Sequence, residues 1–359
     1  MLTRRARPFF ACLLPTLLGA VTVGGNAEAQ PAAPTQLSVL IREETLGNVS
    51  VVRRSGSVES LTAVVTRNNP PGFEYPRRFR IVFGSGTPLP GGVVVASAYD
   101  RGVCAVEQWG PITAPSTGAR QLQVDVAYYP LDPDRTAPAT CAVSYTRVND
   151  RNGVQRPLAY GFFGFPTVPQ QVAPAPFAFN SAATDSPRAT RTAAGRYRVD
   201  IPNMAVGDVT GNVILTPYGP QHTSDRLCRA GALVRGAGEA LAFEVRCDDT
   251  RTRAPTDTAF TFLFTRGGNA GGGATFYSSG IAGPNGLSNA AGRGAVPTVP
   301  SPPTYAGGTI GNLFPGALML TTSMKDDSTC RPTFGPSGPS IGVRCDGPGT
   351  GSFYFLGTR

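Results

Sequence analysis

His222 is the one histidine of the chain, and Ser224 and Asp225 follow it in the loop PYGPQHTSDRLC. Serine, histidine and aspartate are the parts of a nucleophilic hydrolase site, in which the imidazole takes the serine proton and the carboxylate orients the imidazole. Neighbours in one turn seldom meet the geometry those roles need, so a solvated loop histidine is the stronger reading. Acidic residues come as pairs at Glu43-Glu44, Asp248-Asp249, Asp326-Asp327 and Asp132-Pro-Asp134. Two carboxylates about 5 to 10 Å apart could cleave a glycoside. On a strand, however, adjacent residues point to opposite faces, so a doublet in sequence is not a catalytic pair. No catalytic residue is therefore assigned, and an extracellular glycosidase-like hydrolase stands only as an alternative.

Ligand-holding patterns fare no better. Asn149 to Gly153, NDRNG, resembles part of a calcium loop but lacks its spacing and closing glutamate. The chain has no C-x-x-C, which argues against zinc. Gly84-Ser85-Gly86 and Gly271 to Gly273 open no helix after a strand, and no Walker lysine follows. No cofactor or metal is expected. Arg53-Arg54 and Arg77-Arg78 could touch a polyanion, although dispersed arginine more often forms a solvated strand face. Trp109, Tyr128, Tyr129 and the cluster Tyr160, Phe162, Phe163 and Phe165 could make a stacking platform for sugars or peptides. Trp109 behaves more like a core position, while Tyr128 and Tyr129 remain binding candidates, with at least one ring expected to face solvent.

The elements that would carry these residues are strands. Glycine and proline, 44 and 34 residues, punctuate the chain too often for long helices. Between them Phe79, Ile81 and Phe83, Leu122, Val124 and Val126, Tyr197, Val199 and Ile201, and Leu241, Phe243, Val245 and Cys247 alternate with polar or small residues. That period suits strands with one buried face.

These runs recur. Phe79 aligns with Tyr197, Gly92 with Gly211, Tyr99 with Tyr218, Cys104 with Cys228, Trp109 with Leu233 and Thr146-Arg147 with Thr265-Arg266. A more eroded third copy aligns Gly316 with Gly211, Thr321 with Thr216 and Cys330 with Cys228, and IGVRCD at Ile341 echoes FEVRCD at Phe243. The spacing predicts an all-β chain of three tandem β-sandwich domains, Ig-like or barrel-like, over 37–150, 155–267 and 270–359. The glycine-rich stretch from Gly267 to Gly294 is the candidate linker, with ATFYSS inside it as a candidate first strand.

The segment Ala159 to Arg266, with AYGFFGFPTVPQ, GRYRVDIPNM, GNVILTPYG, LCRAGAL and FEVRCDD, resembles a repeat of uncharacterised secreted bacterial proteins whose motifs are G-x-Y-x-V, G-N-V-x-V-T-A-Y-G, C-x-V-x-x-W and V-x-C. The first copy departs from it in lacking a cysteine after LQVDVAYY, and the third lacks the tyrosine equivalent to Tyr218. The resemblance implies domain count and export, and no activity.

The first 29 residues read as an export signal: Arg4, Arg5 and Arg7, an apolar run from Phe9 to Val23, and AEA ending at Ala29 before Gln30. Both the general and the twin-arginine export routes stay open. Removing this segment takes away three arginines and one glutamate, leaving 29 basic and 22 acidic residues, a net of +7. Six cysteines then remain in an oxidising compartment, which predicts the pairs Cys104–Cys141, Cys228–Cys247 and Cys330–Cys345. No later stretch is apolar enough to span a membrane. The reading is a secreted, periplasmic or cell-surface structural or ligand-binding protein without catalysis. Extracellular polysaccharide or a cell-envelope component is its expected partner, nucleic acid is not, and open sheet edges allow self-association. A carbohydrate- or polyanion-binding adhesin is the second alternative.

Overall fold

The computed structural model describes residues 35–45, 48–55, 58–64, 76–84, 91–99, 102–131, 139–148, 151, 154, 157–207, 209, 211–219 and 226–266, together with the backbone of seven further strands between 276 and 357. The export segment, His222, Ser224, Asp225, Asp132, Asp134, Asp326 and Asp327 lie outside the described residues, as does most of NDRNG and of the glycine-rich stretch.

The protein is all-β. In the N-terminal segment run β1 (Thr35–Thr45), β2 (Asn48–Ser55), β3 (Val58–Val64), β4 (Arg77–Phe83), β5 (Val93–Ala98), β6 (Gly102–Thr113), β7 (Arg120–Pro130) and β8 (Thr140–Arg147). The sheet β2-β1-β8-β5 faces the strands β6-β7-β4-β3. Val39, Ile41, Val94, Val143 and Tyr145 from the first meet Phe79, Ile81, Phe83, Val106, Val124 and Val126 from the second. The alternation read in the sequence thus places one face of each strand in the core.

The middle segment contains β9 (Leu158–Phe163), β10 (Gln170–Val172), β11 (Phe179–Asn180), β12 (Arg188–Ala193), β13 (Arg196–Ile201), β14 (Asn212–Tyr218), β15 (Arg226–Ala230), β16 (Val234–Arg235), β17 (Leu241–Asp249) and β18 (Ala259–Thr265). Strands β11-β9-β18-β14 face β10-β12-β13-β17-β15, and β16 pairs with β17. Phe260, Phe262, Phe264 and Val213 pack toward Tyr197, Val199, Ile201, Phe243 and Val245.

The C-terminal segment contains β19 (Phe276–Gly283), β20 (Gly286–Asn289), β21 (Ala306–Gly311), β22 (Leu318–Thr322), β23 (Thr329–Phe334), β24 (Ile341–Asp346) and β25 (Ser352–Gly357), ordered β20-β19-β25-β22 and β21-β24-β23. The stretch ATFYSS contributes to β19, which pairs with β25. Register matches between segments as well as order: Val93 opposes Thr146 and Asn212 opposes Thr265.

Across the 150/155 seam the chain is continuous in both hydrogen bonding and packing. A parallel bridge joins Tyr218 of β14 to Val106 of β6, merging strands of the two segments into one eight-stranded sheet, β11-β9-β18-β14-β6-β7-β4-β3. Leu40, Val93, Val95 and Ala142, on the outer face of the N-terminal sheet, belong to the same buried cluster as the middle segment's core. Strand β5 is consequently buried along its whole length. The equivalent strands β5, β14 and β22 lie beside one another.

Two of the expected disulfides are present, and they differ in kind. Cys228 and Cys247 are direct cross-strand neighbours on β15 and β17. Cys104 on β6 instead joins Cys141 on β8, clasping the two facing sheets. The reason lies in register: Tyr128 stands opposite Cys104 as Cys247 stands opposite Cys228, so the neighbouring strand offers a ring rather than a thiol. That ring needs Gly102, since a Cβ there would come within 2.1 Å of Tyr128 Cε2. Register also sets Cys330 opposite Cys345; their side chains lie outside the described residues. Among the described residues no helix is long and apolar enough to cross a membrane.

Candidate functional site

Four rings meet where β6 approaches β14. Trp109 on β6 stands edge-on to Phe162 of β9, to Phe177 in the loop before β11 and to Tyr218 of β14, with centroids 5.4, 5.6 and 5.6 Å away. Phe162 and Tyr218 are 4.7 Å apart. All four are half-buried, and burial pushes the Tyr218 phenol above its ordinary pKa. Perpendicular rings present edges to one another, the arrangement of a packed junction, whereas a sugar platform offers an open face. The indole Nε1 of Trp109 is buried and makes no hydrogen bond. Sequence reasoning named Trp109 and Phe162 but missed Phe177 and Tyr218, because nothing in linear spacing puts rings from separate segments together.

The expectation for Tyr128 and Tyr129 needs correction. Both rings are buried, at 1% and 6% exposure, and neither faces solvent. Tyr128 fills the N-terminal core, while Tyr129 packs with Ala105 and Ala127 on the opposite face of the same strands. Of the other aromatic candidates, Tyr160 and Phe163 are core residues and Phe165 is exposed.

A dense polar constellation centres on Asp257, just before β18. Arg191 of β12 grips both its oxygens, Nε to Oδ1 at 3.0 Å and Nη2 to Oδ2 at 2.9 Å. The Gly195 N–H and the Tyr197 hydroxyl also donate to Oδ1, at 2.9 and 3.2 Å, and the Thr258 N–H donates to the same hydroxyl. The Arg191 guanidinium holds the Asp257 carboxyl below the usual carboxylate range, and burial pushes the Tyr197 phenol far above its usual value. Neither group changes protonation near neutrality, which suits a clamp and not an acid–base pair. The clamp secures the β12–β13 turn, where Gly195 has φ 63° and a Cβ would fall 2.4 Å from the Thr256 nitrogen.

The doublet Asp248-Asp249 divides as strand geometry requires. Asp248 accepts from Arg229 at 3.1 Å and Arg246 at 2.9 Å. Asp249 pairs with Arg226 and caps the following turn through the Arg251 and Thr252 amides. Glu43 binds Arg77, Glu107 binds Arg78, and Asp125 binds Arg80 through two bonds while also accepting from Gln108 and Gln123. Arg77 and Arg78, read as polyanion candidates, are thus held by carboxylates. Arg54 is exposed on β2.

No family model, curated protein or solved structure matches the chain.

Proposed function

We propose that this is an exported structural protein built from three copies of one β-sandwich module, without catalytic activity, working at or outside the cell surface. The observation that carries the reading is where the polar chemistry goes. Among the described residues, the carboxylates Asp257, Asp248, Asp249, Asp125, Glu43 and Glu107 are each occupied by arginine within the fold. The two disulfides fit an oxidising compartment. The strand orders and registers of the three segments support descent from one module.

One observation favours a ligand-binding version: the rings of Trp109, Phe162, Phe177 and Tyr218 are only half-buried, and their exposed parts could meet a carbohydrate. A glycan and polyanion array probed at two salt concentrations, with hydrolysis of the same glycans followed in parallel, tests the proposal. The structural role predicts no saturable binding and no turnover. Salt-insensitive glycan binding lost in Trp109→Ala would favour the ring cluster, salt-sensitive binding would favour arginine, and turnover would overturn the proposal.

A further inference from the structure

In the sheet β2-β1-β8-β5, strand β5 is an edge strand. Such an edge carries backbone N–H and C=O groups with no ladder partner, and buried groups of that kind must find one elsewhere. Here the partners are side chains of the middle segment. The Ala96 N–H donates to Thr216 Oγ1 at 2.7 Å, and Thr216 Oγ1 donates to the Ala96 carbonyl at 3.0 Å. Thr261, directly opposite Thr216, donates to the Val94 carbonyl at 2.7 Å. All these bonds are buried. One hydroxyl accepts and donates at a single atom, so it can close both groups of one edge residue.

The backbone register that places Ala96 has counterparts in the other two segments. Ala96, Leu215 and Leu320 each stand four residues after the aligned glycines Gly92, Gly211 and Gly316, and so hold equivalent places on β5, β14 and β22, opposite Val143, Phe262 and Phe355. The residue that follows each is Ser97, Thr216 or Thr321, a hydroxyl residue in every case. Adjacency is cyclic. Strand β5 lies beside β14 and β18, β14 beside β22 and β25, and β22 beside β5 and β8. On the other side β6 meets β14, β15 meets β22 and β23 meets β5.

We propose that the three segments close into a ring in which each supplies one hydroxyl to the backbone of the equivalent strand, β5, β14 or β22, of another. Thr216 serves Ala96, Thr321 serves Leu215, and Ser97 serves Leu320. The surface around each hydroxyl is then an interaction surface whose partner is another copy of the same module. This rests on the three-copy reading and adds to it a closed order of contacts, which a string of independent domains would not have.

Residue-resolved amide exchange on the full chain tests the ring. Loss of one buried bond should speed exchange about tenfold. Thr216→Val is expected to expose the Ala96 amide, Thr321→Val the Leu215 amide and Ser97→Ala the Leu320 amide, each in a different segment from the substitution. Thr321→Ser, which retains the hydroxyl, should keep Leu215 protected, and Thr321→Ala takes the place of Thr321→Val if the latter does not fold. The ring is overturned if Leu215 and Leu320 keep their protection in Thr321→Val and Ser97→Ala while Ala96 loses it in Thr216→Val. It is equally overturned if Thr321→Ser exposes Leu215. Failure of the three-copy reading is distinct from either, appearing as unlinked Cys330 and Cys345 in the oxidised protein.

Discussion

Asp257 shows how a single carboxylate can organise a turn, a strand and a neighbouring phenol. Four donor groups converge on it, and the fold responds by keeping it ionised. Asp257→Asn should destabilise the protein by about 1–2 kcal/mol, less than a fully buried charged network because a fifth of the side chain is exposed. Chemical denaturation of both proteins measures this. Asp257 and Asp249 both have lowered pKa values in the folded state. Their stabilisation is therefore complete above the unfolded carboxylate value, about 4, and is lost as pH falls through the lower folded values. Asp257→Asn should accordingly show a shallower loss of stability than the parent as pH falls below about 4. An identical acid profile would remove Asp257 from that account. None of this network was legible in the sequence: Arg191 and Asp257 are 66 residues apart, and tertiary closure alone joins them.

Strands were the legible part, since burial of every second residue leaves a two-residue period that glycine and proline can interrupt but not disguise. Tyr197, Val199 and Ile201 alternate as read and are buried as read. The pairs Cys104–Cys141 and Cys228–Cys247 were legible for a different reason, because few cysteines spaced two to a segment leave few combinations. Burial of Tyr128 was not legible, because its neighbour Tyr129 makes an unbroken aromatic pair whose two faces are both covered only in three dimensions. The bridges close separations of 37 and 19 residues, worth about 4 and 3 kcal/mol in the chain-entropy model. Replacing Cys104 and Cys141 together by alanine should therefore cost more than replacing Cys228 and Cys247, as midpoints of denaturation would report. Peptide mapping of the oxidised protein should also recover Cys330 linked to Cys345, as their opposed register expects.

At the scale of the molecule, recurring runs of residues could be seen in the sequence but the sharing of a core between segments could not. Outer-face residues such as Leu40, Val93 and Val95 read equally well as solvent-facing or as buried on both sides, and only the apposed sheet decides. Leu263, in that shared cluster, provides the test. Leu263→Ala should cost about 2–4 kcal/mol and lower amide protection on β5 and β8 as well as on β18. Loss confined to the middle segment would mean that the two segments unfold separately. The two sulfur bridges also give the segments different responses to pulling. Stretching the oxidised chain can shear the middle sandwich layer from layer, because its bridge ties strands within a single sheet. In the N-terminal sandwich the tie runs from layer to layer, so tension meets a covalent clasp there before the faces can separate.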